Sequence, residues 1–331
     1  MENNDFFNVP ARTISQYVKK RGLARLRELC GWNHPLKLDN DRFSAIAATA
    51  ENPWSITGAS VTGHGHRLHS EPCQDAHLAQ VWGNGWGAVA VSDGAGSALR
   101  SQLASSLLVR RAVRKASRLV SRKGWAVTNK LPALEEWRSC AEILMRETSQ
   151  ELPAFAERKK IPLHELYATL IVMIFSPHGI LTTHIGDGRA GCLDLNGNYH
   201  ALMEPWEGEQ VGQTVFVTMG NGNIRNITGA SVFNAPVKSF FLLTDGCERV
   251  SWETLAQDHL TGSYKKRNKP FAPFFDQTIK TLSQMYATLP ADVVAGKWHN
   301  YLDNGHKDFV TEPDDKTMVI GIVSENPIHR K

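Results

Sequence analysis

Five places along the chain set aspartate where an apolar run meets a turn. Val91 closes the run Trp86–Val91, and "SDGAGS" follows, leaving Asp93 beside Gly94. "HIGDGRAG" puts Asp187 after a second run and "FFLLTDGCERV" puts Asp245 after a third. "EPDDKTMVIGIV" sets Asp314 and Asp315 just before a fourth, and Asp75 in "EPCQDAH" precedes a fifth. Taken singly, each is an ordinary strand-end turn, because aspartate bonds its own turn and glycine accepts positive φ. Together they describe other chemistry. Carboxylates gathered in a partly dry site repel one another unless cations join them. An oxygen-only set without matching His or Cys ligands selects Mg²⁺ or Mn²⁺ over zinc. Two such ions about 3.5–4 Å apart acidify a bridging water and steady the charge of an in-line phosphoryl displacement.

A second group is "GHGHRLH", with His64, His66, Arg67 and His69 in seven residues. It reads either as an exposed loop without a role or as a grip for a phosphate. Zinc is the weakest reading, since spacing places no fourth ligand.

Strands and helices must carry these residues. From Trp54 onward apolar runs come in pairs: "WSITGASVTG", "AHLAQVW", "WGAVAVSDG", and later "LYATLIVMIFSPHGILTTHIGDGRAGCLDLNGNYHALM" with hairpin signals at Pro177–Gly179 and Asn196–Asn198. Helical windows span about Ser101–Gly124, Leu131–Arg158 and Phe271–Leu302, and "KTMVIGIV" closes the chain as a strand. Hairpin-linked strands with helices inserted in pairs predict an α+β fold of antiparallel sheets covered by helices, not a doubly wound parallel sheet. Residues 1–52 read as an N-terminal helical extension, with a helix over Thr13–Cys30, and 53–325 as the main domain.

Composition bounds the rest. At 331 residues, 42% hydrophobic and 21% charged, the chain is that of a globular protein. The net charge of +4 is small, and the basic stretch Arg110–Lys123 alternates with Leu107, Leu108, Ala112, Ala116 and Val120, the wet face of an amphipathic helix rather than a nucleic-acid patch. Five cysteines without a CxxC pair indicate neither a disulfide framework nor a thiolate zinc site. With no signal-peptide pattern and no apolar run long enough for a bilayer, a cytoplasmic protein without membrane or nucleic-acid partners is expected.

"VSDGAGS", "ATLIVMIF…THIGDGRAG", "LLTDGCERV" and "DDKTMVIGIV", in this order and with "EPCQDAH" upstream, resemble the motifs of the PP2C (PPM) family of metal-dependent protein serine/threonine phosphatases. The likeness covers about residues 54–323 and is nearest a bacterial branch with a G-x-S-H…C-Q-D-A opening and an "FxPFF" motif, here "FAPFF" at 271–275. The resemblance implies an α-β-β-α sandwich of two mainly antiparallel sheets flanked by helix pairs. It also implies two tightly held Mn²⁺ or Mg²⁺ ions: Asp93 bridging both, the Gly94 carbonyl on one, and Asp245 and Asp314 on the other. Asp187 would help hold a weaker third, and Asp75 would reach the cluster directly or through water.

Two positions depart from the family. Gln74 stands where many members carry an acidic residue, and Ser70 occupies the usual place of a phosphate-gripping Arg. His66, which matches the branch's histidine, is the first substitute and Arg67 the second, with the nearby metal cations expected to lower the pKa of His66. Arg189 reads as bracing. The implied substrate is a phosphorylated protein, the product of a cognate serine/threonine kinase. The alternatives are a catalytically weak or dead binding module of the same fold, and a metal-dependent phosphatase of a small molecule. The segment Trp206–Pro236, in the place of the family's variable flap, does not reveal substrate choice.

Overall fold

The computed structural model describes residues 41–206, 214–219, 224–257 and 264–324; the helix expected over Thr13–Cys30 lies outside them. Strand β1 (Arg42–Ile46), β2 (Trp54–Val61), β3 (Ala76–Val81), β4 (Gly87–Ser92), β5 (Leu170–Ser176), β6 (Gly179–Ile185), β7 (Arg189–Asp194), β8 (Tyr199–Ala201), β9 (Gly229–Phe233), β10 (Val237–Leu243), β11 (Trp252–Gln257), β12 (Tyr264–Pro270) and β13 (Lys316–Val323) follow in chain order. They form a six-stranded sheet in the order β1-β2-β13-β10-β7-β8, a five-stranded sheet in the order β3-β4-β5-β6-β9, and the hairpin β11-β12. All the pairings are antiparallel.

Period-two alternation explains the layering. On β4 and β5, Ala88, Ala90, Leu170, Val172 and Ile174 pack under helices α1 (Ser101–Lys123), α2 (Leu134–Ser149) and α3 (Glu151–Lys159). Their neighbours Val89, Val91, Ile171, Met173 and Phe175 meet Trp54, Ile56, Phe240, Leu242 and Val319 of the other sheet. The opposite residues of that sheet, among them Phe241, Leu243, Met318 and Ile320, meet α4 (Ala272–Thr288) and α5 (Ala291–Asn304). Each large side chain so buried contributes about 1.5–3 kcal/mol. The result is the four-layer α-β-β-α sandwich.

Three expectations change in detail. Within the segment expected as an extension, β1 pairs with β2 from Arg42↔Ser60 to Ile46↔Ile56, so residues 42–46 belong to the first sheet. The window Leu131–Arg158 breaks at Gln150 into α2 and α3, and Pro290 divides the last window. The segment expected as an unassignable flap contributes β9, which pairs with β6; its residues 207–213 and 220–223 lie outside the described ones.

Candidate metal centre

Antiparallel pairing decides where the aspartates go. In one sheet Ala76 stands opposite Ser92 and Leu170 opposite Ile185, so Asp75, Asp93 and Asp187 leave it at one edge. In the other, Leu243 stands opposite both Met318 and Arg189, and Val61 opposite Lys316, so Asp245, Asp314 and Asp315 leave at one edge too. Asp187 lies on the crossing between β6 and β7. That crossing turns at Gly186, whose φ of 118° suits a residue without Cβ.

The two edges meet. The Asp93 carboxyl is raised well above the usual carboxylate range, first by burial and then by Asp245, Asp75, Asp314 and Asp187. Burial, Asp315 and Asp314 raise Asp75, against hydrogen bonds from Thr317 and Thr244. Asp245 is pushed up to about 7 by burial, Asp314, Asp187 and Glu248. Burial raises Asp314, with Asp315 adding and the Asp315 amide and His66 opposing. Burial also raises Asp187, against a hydrogen bond from Thr214 and the charge of Arg189. The cluster therefore holds negative charge at high cost.

Asp75 is 1% exposed; Thr244 Oγ1 donates to its Oδ2 at 2.8 Å, while its Oδ1 has no hydrogen-bond partner. Among the described residues no three His, Cys, Asp or Glu side chains converge on a single ion position. Oxygen-only donors, mutual repulsion and the orphaned Asp75 oxygen still fit hard cations that keep several waters between themselves and the protein.

Asp315, which sequence reasoning named without giving a role, organises the approach to the cluster. Its Oδ1 accepts from Gly63 N at 2.7 Å and lies 2.8 Å from His66 Nδ1, and its Oδ2 accepts from Gln74 N at 2.5 Å. Gly63 packs so close to the Asp314 carbonyl that a Cβ would collide with it. Asp315→Ala leaves these donors buried and unmatched, a cost of about 2–4 kcal/mol after relief of repulsion on Asp75 and Asp314. The expected result is a melting temperature lower by roughly 5–10 °C; a shift under about 2 °C would show that the contacts are dispensable.

That ion pair favours the charged form of His66 in the protein without metal. The His66 pKa is raised to about 9 by the Asp315 contact, despite opposing burial, with Asp314 and Glu71 adding to it. The carboxylates around the ring thus oppose the lowering that metal cations would cause. Arg67 turns elsewhere, with Nη1 2.6 Å from Asp303 and Nη2 3.6 Å from Asp41. His64, His69 and Ser70 are exposed. Gln74 is a tether: with its amide nitrogen turned inward it donates to the Gly94 carbonyl at 3.0 Å, the Ala95 carbonyl at 3.1 Å and Ser101 Oγ at 2.8 Å. A Cβ on Gly94 would stand 2.6 Å from the Gln74 carbonyl, so only glycine lets these two loops close.

Residues 62–293 match the protein phosphatase 2C family. The chain belongs to that family. It is 27% identical over 276 residues to serine/threonine-protein phosphatase 3 of Escherichia coli K12, covering 82% of this chain and 99% of that one. A crystal structure of a bacterial serine phosphatase carrying a point substitution shares the fold at a TM-score of 0.50 with 11% identity, covering 82% of this chain and 98% of that one. Family members are metal-dependent phosphatases of phosphoserine and phosphothreonine in proteins, and use Mn²⁺ or Mg²⁺. Among the described residues no helix is long and apolar enough to cross a membrane.

Proposed function

We propose that this chain hydrolyses phosphoserine and phosphothreonine in proteins at the carboxylate cluster, with Mn²⁺ or Mg²⁺ as cofactor. The observation that carries the reading is the meeting of both sheet edges around Asp93, whose carboxyl feels Asp245, Asp75, Asp314 and Asp187 together. Asp93, the Gly94 carbonyl, Asp245 and Asp314 would hold two ions, and Asp187 a third. When bound, such ions supply an acidified water and positive charge for the phosphoryl oxygens.

The protein's own residues have separate tasks. Asp75 offers its unpartnered Oδ1 as an acceptor for a proton of an attacking water, with Thr244 fixing the carboxyl's orientation. Gln74 holds the Gly94 carbonyl in place. His66, kept cationic at neutral pH by Asp315, is the member of "GHGHRLH" whose charge reaches Asp314, and it draws the substrate phosphate in. The substrates are products of a serine/threonine kinase, and the buried free thiols of Cys73, Cys140, Cys192 and Cys247 support a cytoplasmic setting.

The test compares a phosphothreonine peptide, a phosphotyrosine peptide and p-nitrophenyl phosphate with Mn²⁺, with Mg²⁺ and after EDTA. Turnover of the phosphothreonine peptide that needs either ion and is lost in EDTA is expected. Metal-independent turnover, or hydrolysis of p-nitrophenyl phosphate without any of phosphothreonine, would overturn the reading.

A further inference from the structure

Beside the carboxylate cluster lies a cavity of about 440 Å³ whose walls include Arg189, Glu204, Trp206, Lys266, Arg267 and Asn268. Its size suits one or two side chains. Arg189 opens β7, two residues beyond Asp187, and Trp206 N donates to the Gly186 carbonyl at 3.0 Å, so the cavity shares the β6–β7 crossing with the candidate metal centre. Asn268 on β12 donates from Nδ2 to the Met203 carbonyl at 2.8 Å and accepts from Trp252 Nε1 at 2.8 Å, clamping the β11-β12 hairpin onto the segment before Trp206. The walls are therefore held in place from both sides.

The cavity's chemistry is that of an anion receptor. Arg189 is 7% exposed, its Nε meets Glu248 at 2.8 Å, and its Nη1 is buried with no hydrogen-bond partner. Arg267 meets Glu253 at 2.9 Å through one Nη. In both pairs the carboxylate is absent from the cavity lining and engages one guanidinium nitrogen, and a guanidinium carries five N–H donors in a fork that suits bidentate capture of an oxyanion. Lys266 adds a third cation, and among the described residues of the wall Glu204 is the acidic one. A buried guanidinium N–H without an acceptor costs about 1–3 kcal/mol, which a ligand oxygen would recover.

We infer that this cavity is a substrate subsite that takes an oxyanion side chain, a carboxylate or a second phosphate, within a few residues of the phosphorylated residue being cleaved. The inference rests on the phosphoprotein phosphatase reading for the source of the ligand. The subsite would bias the enzyme toward acidic or multiply phosphorylated segments, and the hairpin would act as its outer wall.

The test uses full-length protein with Mn²⁺ and peptide sets that differ only in residues within three positions of the central threonine, on either side: glutamate, phosphotyrosine or glutamine. Calorimetry on the sets with an unphosphorylated central threonine reads the subsite without turnover, and KM on the phosphothreonine sets reads it during turnover. Glutamate or phosphotyrosine on one side is expected to bind about 10-fold more tightly than glutamine, and to lower KM in the same proportion. In Lys266→Glu/Arg267→Glu, two exposed side chains on β12, that preference should fall to within about 2-fold; Arg189→Lys should weaken it without the loss of fold that Arg189→Ala risks. A preference for glutamate alone or phosphotyrosine alone identifies which anion the subsite takes. Equal binding of all sets by the unaltered protein, or a preference that survives the double variant, would overturn the subsite. Preference in binding with no turnover of any phosphothreonine peptide would instead leave the subsite standing and remove the proposed activity.

Discussion

Asp93→Asn should reduce kcat on a phosphothreonine peptide by about 10³-fold or more while raising the melting temperature of the metal-free protein at neutral pH. Both halves follow from one cause. The Asp93 carboxyl sits among Asp245, Asp75, Asp314 and Asp187 and is the group whose charge all four oppose. An amide of nearly the same shape removes that charge, so the metal-free fold gains on the order of 2–4 °C for every kcal/mol of repulsion relieved. The same charge is what would be shared between two cations, and losing a group that organises charge at the reacting phosphoryl costs orders of magnitude in rate. Thermal melts in EDTA and steady-state kinetics with Mn²⁺ on one preparation measure the two effects. A variant that is less stable and inactive would be a folding defect; a variant that is more stable and still active would remove Asp93 from the metal centre.

The fold was legible because its strands are written in period two. Val89 and Val91 against Ala88 and Ala90 give both faces of β4 as apolar, which is the mark of a sheet covered on each side. The carboxylates were legible as a set because strand ends are where antiparallel pairing gathers residues far apart in sequence. What the sequence did not disclose was which of two adjacent aspartates does what. In "PDDK" Asp314 faces the cluster and Asp315 turns back to Gly63, Gln74 and His66, a choice made by backbone direction at the start of β13 rather than by residue type. The carboxylate partner of His66 was hidden for the same reason, since Asp315 comes from a segment about 250 residues away and no local spacing announces it. Gln74 stood out in the sequence only as a departure in residue type; with its amide nitrogen turned inward it ties two loops together. Arg67 shows the converse, a residue of the right type turned away by Asp303 and Asp41. The β11-β12 hairpin was missed because "WETLAQ" and "YKKRNKP" lack clean apolar alternation.

In EDTA the protein should lose stability as pH rises from about 4 through 7, opposite to the usual behaviour of a protein rich in paired carboxylates. Folding raises the carboxyl pKa values of Asp75, Asp93, Asp245 and Asp314 above their unfolded values, and for Asp245 the change is from 3.8 to about 7. Across that window the folded protein keeps protons that the unfolded chain has released, so the unfolded state binds fewer and stability declines with pH. His66, raised to about 9, works in the same direction from its unfolded value of 6.5 upward. His184 opposes it: burial lowers its pKa to about 4, so the fold gains stability as the unfolded imidazole loses its charge between about 4 and 6.5. One imidazole against four carboxylates leaves the decline in place. The depressed Asp41, at about 2, is already ionised in both states above pH 5 and adds no slope there. The expected fall in melting temperature between pH 5 and pH 7.5 is on the order of 10 °C, from a few kcal/mol at 2–4 °C each. Mn²⁺ should reverse the trend, because cations replace protons at the same oxygens and bind better as those oxygens ionise. Asp93→Asn should flatten the EDTA curve by removing the carboxyl most opposed by its neighbours. A curve in EDTA that is flat or rises from pH 5 to 7.5 would show that the carboxylates do not share one dry site, and the metal centre assigned to them would fall with it.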